Sequence, residues 1–145
     1  PVVRGLRRGT VLYYMPDEDQ GPRDSVFAPF FGQPKATLKT VGRLAERSGA
    51  AVLPMYVYYK PEERVYEAIV EEPLADFPSG DPVADATRVN AAMEQCIRKR
   101  PEAYLWSFRL FRHRPGGTLR RYPTYDRRTR ARRRRRRKRR QSATR

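Results

Sequence analysis

The hydrophobic residues of the chain fall into short runs that are separated by polar, proline-containing stretches. Residues 11–15 (VLYYM) are apolar, aromatic and β-branched, a pattern that predicts a buried strand. Pro16 ends this run and opens the acidic stretch PDEDQGPRD, whose composition predicts a loop. The next apolar run, residues 25–32 (SVFAPFFG), contains three phenylalanines but is interrupted by Pro29 and ends at Gly32. The pattern over residues 11–24 therefore predicts a strand followed directly by an acidic loop.

Two later segments have the spacing of amphipathic helices. Residues 36–48 place their apolar side chains on one face, and Gly49 follows as a stop signal. Residues 82–100 predict a longer helix, with Asp81 as its N-cap and Pro82 in its first position. The apolar stripes are Leu38, Val41, Leu44 and Ala45 in the first helix, and Ala86, Val89, Met93, Cys96 and Ile97 in the second.

The region between these helices predicts two strands. Residues 51–59 are almost entirely apolar, which is typical of a strand buried on both faces in a parallel sheet, although Pro54 indicates an edge position or a bulge. Residues 64–71 predict a second strand, joined to the first through the turn KPEE. Strands that alternate with helices predict an α/β sandwich with a mixed sheet.

Positive charge is concentrated at the C-terminal end of the chain. The net charge is +16, and residues 126–145 hold thirteen Arg or Lys side chains and one Asp. The preceding 125 residues are therefore only mildly basic. Like-charge repulsion and the absence of an apolar face predict a disordered arginine-rich tail over 126–145, after one folded domain over 1–125.

The composition also excludes several classes of protein. Cys96 is the only cysteine, so an internal disulfide framework and a cysteine-based zinc cluster are excluded. No stretch approaches the roughly 20 apolar residues that span a bilayer. Glycine-rich phosphate loops, nucleophile elbows and metal-ligand pairs do not occur, so we expect neither a metal nor a cofactor.

The acidic loop is the first candidate for chemistry. Asp17, Glu18 and Asp19 follow a predicted strand directly, with Arg23 close behind. Ligands of open α/β sheets gather at such loops, where a carboxylate can orient a base, bind a hydroxyl or hold a cation. A solvated acidic turn explains the same composition. A calcium loop of the EF-hand type is disfavoured, because its glycine and its final carboxylate are missing.

The aromatic and basic residues leave further alternatives open. Phe27, Phe30 and Phe31 suit either an acyl-chain slot or ordinary core packing. His113 is the only histidine and stands among arginines with no acid placed to orient it, which predicts a surface residue. The segment after Trp106 carries arginines that suit either a phosphate or carboxylate clamp or a soluble surface, namely Arg109, Arg112 and Arg114.

Several segments together resemble one family, the late acyltransferases of lipid A biosynthesis, in particular those of the lauroyl-transferring type. The similar segments are GTVLYYMPDEDQGPRDSVFAPFFG, SGAAVLP, the helix containing Glu94, and PEAYLWSFRLFRHRP. The most specific are P-D-x-D-x-G-P and V-F-x-P-F-F-G, and the resemblance extends over about residues 4–125.

This resemblance implies a partial acyltransferase-type α/β fold and an activity. Members of the family transfer a fatty acyl group from acyl carrier protein to a hydroxyl of a lipid A precursor, at the cytoplasmic face of the inner membrane. Their general base is a histidine with an acid five positions later, a pair that this chain lacks, because Thr118 stands five residues after His113. The fragment alone is therefore expected to be inactive.

The resemblance also implies the site residues. Asp17 matches the family's active-site aspartate, and the proposed substrate-binding positions are Asp19, Gly21, Arg23, Thr37, Arg109 and Arg114. The family pattern has a histidine where this chain has Phe108, and an arginine where it has Leu110.

Two other functions remain as alternatives. The arginine-rich tail suits a nucleic-acid-binding protein, but the body of the chain shows no helix-turn-helix or zinc-finger spacing, so nucleic acid is disfavoured as a partner. An anionic membrane surface attracts the same tail at about 1 kcal/mol per basic residue. An inactive lipid-binding remnant is the third interpretation.

Overall fold

The computed structural model describes residues 1–122, which form an α/β structure. The tail predicted over 126–145 lies outside the described residues. The helices are α1 (Val2–Leu6), α2 (Thr40–Ser48) and α3 (Pro82–Lys99), with two single-turn 3₁₀ helices at Pro101–Ala103 and Pro115–Gly117. The strands are β1 (Ser25–Phe30), β2 (Gln33–Leu38), β3 (Met55–Lys60) and β4 (Val65–Val70).

A tight hairpin joins β1 to β2. The two strands pair antiparallel from Ser25 opposite Leu38 to Phe30 opposite Gln33. Only Phe31 and Gly32 lie between them, at φ values of 46° and 72°. Positive φ at both central residues gives a turn whose twist matches that of the strands, and glycine adopts it without a steric penalty. The apolar run 25–32 is therefore one strand and its turn.

Two predictions for this half of the chain were wrong. Residues 36–38 belong to β2, so the helix predicted over 36–48 begins only at Thr40; its end at Gly49 is confirmed, with φ at 72°. The strand predicted over residues 11–15 does not form, and Val11 is 91% exposed. Residues 36–38 pair with residues 25–27 in the hairpin, and the helical spacing of their apolar side chains does not report this pairing.

The second hairpin consists of β3 and β4. Its strands pair antiparallel from Met55 opposite Val70 to Lys60 opposite Val65, so the predicted pair of strands is confirmed. The predicted parallel, fully buried strand was wrong, because β3 has one exposed face. This face is apolar and consists of Met55, Val57, Tyr59, Tyr66, Ala68 and Val70.

Helix α3 organises the core. It begins as predicted, with the Asp81 carboxylate accepting a hydrogen bond from Val83 N at 2.9 Å. Its inner face packs on β1, and the Glu94 carboxylate accepts a hydrogen bond from Phe31 N at 2.6 Å. The centre of the core contains Phe30, Ile97 and Leu110.

The α/β class is confirmed, whereas the predicted sandwich with a mixed sheet is not found in residues 1–122. These residues form two separate sheets, each with two antiparallel strands. None of the helices described over this range is long and apolar enough to cross a membrane.

Candidate functional site

The acidic loop, residues 16–24, lies against the C-terminal segment, residues 101–122. Asp17 is half-buried, and its Oδ2 accepts a hydrogen bond from the Tyr104 hydroxyl at 3.3 Å. Its other oxygen, Oδ1, is buried and has no hydrogen-bond partner within residues 1–122. Burial raises the pKa of Tyr104 well above its ordinary value of 10.0, and the negative charge of Asp17 adds to the shift. Tyr104 therefore remains a hydrogen-bond donor over the whole physiological pH range.

Lys35 brings a buried positive charge to the same loop. It lies on β2 with its side chain fully buried, 5.6 Å from the centre of the Phe30 ring. Its ammonium group donates a hydrogen bond to the Pro16 carbonyl at 3.3 Å. Burial lowers the pKa of Lys35 to about 8, and the negative charges of Asp17 and Asp19 partly oppose that shift. Lys35 is thus a cation at neutral pH that becomes neutral in mildly alkaline solution.

Asp19 connects the loop to the C-terminal segment. Its carboxylate is completely buried and accepts hydrogen bonds from Gly21 N at 3.0 Å and from His113 N at 2.7 Å. His113 Nδ1 lies 2.7 Å from Asp19 Oδ1. The prediction of an unoriented surface histidine was wrong, because the loop supplies the acid from 94 residues away in sequence.

A narrow hairpin-like turn holds His113 in place. Arg120 N donates to the Arg112 carbonyl at 2.8 Å, and Arg114 N donates to the Thr118 carbonyl at 3.0 Å. The His113 ring then lies over Gly21, which is buried at a φ of 94°. A Cβ atom at Gly21 would approach His113 Cε1 to 3.4 Å. The loop favours glycine at this position because of its backbone conformation, which other residues rarely adopt.

Thr37 lies on the buried side of β2 and is bonded within the protein. Its Oγ1 accepts a hydrogen bond from Asn90 Nδ2 at 2.9 Å and lies 3.2 Å from Asn90 Oδ1. The Asn90 amide also donates to the Pro29 carbonyl at 2.9 Å. Both side chains are fully buried, so this pair fastens α3 to the first hairpin.

The three arginines predicted at the site have exposed side chains. Arg23 lies in the acidic loop, whereas Arg109 and Arg114 lie in the C-terminal segment. Exposed guanidinium groups are available to anions from solvent. Between Arg109 and Arg114 the segment turns inward, and Leu110 packs against Phe30 in the core.

The predicted residues therefore divide into three groups. Asp17, Asp19 and Gly21 share the contact between loop and segment, while Thr37 is bonded inside the fold and the arginines are exposed. Sequence reasoning missed Lys35 and Tyr104. A charged residue at an inward position of a strand was the available signal for Lys35, but the segment beginning at residue 36 was interpreted as a helix. No local feature of the sequence distinguishes Tyr104 from the other aromatic residues of the chain.

A cavity within residues 1–122 is not lined by the acidic loop. A small cavity of about 40 Å³ lies between α2 and the beginning of α3, and its lining includes Val41, Gly42 and Asp85 but not Asp17. A cleft at Asp17 stays a prediction. Phe30 is completely buried in the core. Of the two interpretations of this residue, an acyl-chain slot or ordinary core packing, its burial agrees with core packing.

Comparison with known proteins gives one consistent result. A sequence profile of the family described as bacterial lipid A biosynthesis acyltransferase matches residues 1–113. The chain is 38% identical over 122 residues to the lipid A biosynthesis lauroyltransferase of Escherichia coli (strain K12), which covers 83% of this chain and 40% of that protein. It is 34% identical over 126 residues to the lipid A biosynthesis myristoyltransferase of the same strain, covering 87% of this chain and 39% of the relative.

A relative from another genus agrees. The chain is 38% identical over 117 residues to a lipid A biosynthesis acyltransferase of Haemophilus influenzae, covering 81% of this chain and 36% of that protein. The chain thus spans about two fifths of the length of these relatives.

Proposed function

This chain belongs to the family of bacterial lipid A biosynthesis acyltransferases, and on that premise we propose that it contributes to the transfer of a fatty acyl group to a hydroxyl of a lipid A precursor. The lauroyltransferase and myristoyltransferase names of its relatives support this acyl chemistry. The observation that carries the proposal is the match over residues 1–113, which includes the acidic loop and Asp17.

The proposed reaction is base-assisted acyl transfer. A general base removes the proton of the acceptor hydroxyl, and the oxygen attacks the thioester carbonyl to form an ester. The carbon–sulfur bond breaks, and the thiolate of acyl carrier protein leaves and takes the proton back from the base. We assign the base, a histidine with an acid five positions later, to the part of the family's length that residues 1–145 do not cover. Such a base contributes about 10²–10⁴-fold to the rate.

Asp17 is the residue of this chain that we assign to the chemistry. Its Oδ1 is a buried acceptor without a partner in residues 1–122, and it suits the N–H of an imidazole base or the hydroxyl of the acceptor. A carboxylate that accepts from an imidazole fixes its tautomer and stabilises the cation that forms during proton transfer. We therefore propose that Asp17 orients the base or the acceptor.

The remaining predicted residues support two different roles. Arg23, Arg109 and Arg114 are exposed, and we propose that they contact the phosphate groups of the lipid precursor or its donor. The polar groups of Asp19, Gly21 and Thr37 are hydrogen-bonded within the fold. We therefore propose that these residues support the structure of the site and do not bind substrate directly.

Membrane association follows from the same proposal. The acceptor is a membrane lipid, and the thirteen basic side chains of residues 126–145 attract anionic headgroups. We propose that the tail draws the protein to the cytoplasmic face of the inner membrane.

Acyl transfer from acyl carrier protein to a lipid A precursor tests the proposal, measured on the whole protein that contains this chain. Asp17→Asn is expected to lower kcat by about 10²-fold or more, because the amide removes the charge and one acceptor but keeps the shape. Asp24→Asn is the matched control, since Asp24 is exposed in the same loop. Wild-type turnover by Asp17→Asn contradicts the role of Asp17, and no transfer by the wild-type protein contradicts the proposed function.

A further inference from the structure

The two oxygens of Asp17 are in different situations. Oδ2 accepts a hydrogen bond from Tyr104, whereas Oδ1 is buried and has no partner in the described part of the chain. A buried polar atom without a partner is energetically unfavourable, and native proteins keep few of them. The arrangement therefore leaves one defined direction in which Asp17 can accept a further hydrogen bond.

Tyr104 and Lys35 hold Asp17 at its side chain and at its backbone, respectively. Tyr104 fixes the carboxylate at 3.3 Å through its hydroxyl. Lys35 fixes the backbone just before it, through the hydrogen bond at 3.3 Å to the Pro16 carbonyl. Lys35 is also buried, and its positive charge attracts the negative charges of Asp17 and Asp19.

We propose that Lys35 and Tyr104 are positioning residues for Asp17, which hold its carboxylate with Oδ2 occupied and Oδ1 free to accept from the base or the acceptor hydroxyl. This inference rests on the proposed function for its catalytic consequence, but the coupling between Lys35 and Asp17 exists independently of it. A rigidly held acceptor contributes to the rate because misplacement by about 1 Å costs up to roughly 10²-fold.

Conservative variants separate positioning from packing. The Tyr104 ring packs against the core and lies 5.1 Å from the Trp106 ring, so Tyr104→Phe removes the hydroxyl and keeps the ring. Lys35→Met removes the charge and keeps the unbranched stem. The matched controls are Tyr66→Phe, on the exposed face of β4, and Lys39→Met, at the beginning of α2.

The first experiment measures the coupling on the chain itself. NMR of ¹³C-labelled lysine follows the titration of Lys35, which is expected near pH 8. Asp17→Asn is expected to lower the pKa of Lys35 further, because it removes an attraction that favours the ammonium form. Glu62→Gln, in the turn between β3 and β4, is expected to leave that pKa unchanged. An equal Lys35 pKa in wild type and Asp17→Asn overturns the proposal, whatever the activity.

The second experiment measures acyl transfer by the whole protein. Tyr104→Phe and Lys35→Met are expected to lower kcat by roughly 10–10²-fold with KM within about twofold, while both control variants retain wild-type kcat. The wild-type rate is expected to fall as pH rises through about 8, and Lys35→Met is expected to lose this decline. Wild-type kcat in Tyr104→Phe overturns the proposal. If the wild-type protein does not transfer acyl groups, only the proposed function is overturned. The NMR titration of Lys35 then still tests its coupling to Asp17.

Discussion

His113, in the C-terminal segment, makes two contacts with the carboxylate of Asp19, in the acidic loop. Nδ1 of the imidazole lies 2.7 Å from one carboxylate oxygen, and the backbone N of the same histidine donates to the other oxygen at 2.7 Å. The two residues are 94 positions apart. The buried carboxylate of Asp19 thus holds the C-terminal segment against the acidic loop, together with the hydrogen bond from Tyr104 to Asp17.

Removal of this carboxylate is expected to destabilise the fold. Asp19→Ala leaves Gly21 N and His113 N without their acceptor, so we expect the free energy of unfolding to fall by about 3 kcal/mol. Urea denaturation measures the loss, with Asp24→Ala as the exposed control. A loss below about 1 kcal/mol would show that the segment docks without this contact.

The stability of the fold is expected to rise between about pH 7.5 and about pH 9.5. The folded-state pKa of Lys35 is lowered from 10.5 to about 8, so the unfolded chain binds more protons in this range. Linkage then gives an increase of about 2 kcal/mol, which Lys35→Met should abolish. Above about pH 10 the raised pKa of Tyr104 acts in the opposite direction, because the unfolded chain then loses protons first. Denaturation at several pH values measures the slope, and a flat profile in wild type contradicts the prediction.

Thr37→Val distinguishes structural support from substrate binding. The variant keeps the shape of Thr37 but leaves the buried Asn90 amide without one partner, so we expect a loss of about 1–3 kcal/mol in unfolding free energy. Thr87→Val, on α3, is the control, because Thr87 bonds only to the carbonyl of its own helix. If Thr37→Val instead raised KM in the whole protein without a loss of stability, a direct contact with substrate would be indicated.

Gly42→Ala is expected to destabilise α2, although alanine is ordinarily the better helix former. A Cβ atom at Gly42 would lie 2.7 Å from Asp85 Oδ2. Asp85 has little freedom to move, because its Oδ1 accepts from Ser79 N at 2.7 Å and from Ser79 Oγ at 2.8 Å. We expect a loss of about 1–2 kcal/mol by thermal or urea unfolding.

A double-mutant cycle provides the control for this substitution. In an Asp85→Ala background the obstructing carboxylate is absent, so Gly42→Ala should become neutral or stabilising. The same loss in both backgrounds would assign the effect to something other than this contact.

The basic tail is expected to bind anionic vesicles. Co-sedimentation of the chain with phosphatidylglycerol-containing vesicles should fall sharply when residues 126–145 are removed, and it should weaken as salt is raised. A DNA gel shift on the same pair of proteins is the comparison. Tighter binding to DNA than to vesicles at physiological salt would favour the nucleic-acid alternative.

Local sequence signals predicted some elements well and others poorly. Helix α3 was predicted with its N-cap because Asp81, Pro82 and the apolar stripe all lie within one segment. Residues 36–38 were misassigned because their strand exists only through its pairing with β1. The same distinction applies to the site. Asp17 and Asp19 were proposed as site residues from the loop composition and the family resemblance, which stays a prediction. Their contacts to Tyr104 and His113 span 87 and 94 residues and leave no local pattern.

The apolar outer face of the β3–β4 hairpin has a practical consequence for handling the chain. Tyr66 is 77% exposed and stands opposite Tyr59, which is 47% exposed, on a sheet that has only two strands, and hence two open edges, within residues 1–122. Open edges beside exposed apolar side chains favour strand-to-strand association between molecules. Concentrated samples are therefore expected to precipitate, and replacing Val57 and Tyr66 with lysine should keep them clear without altering the contacts of Asp17.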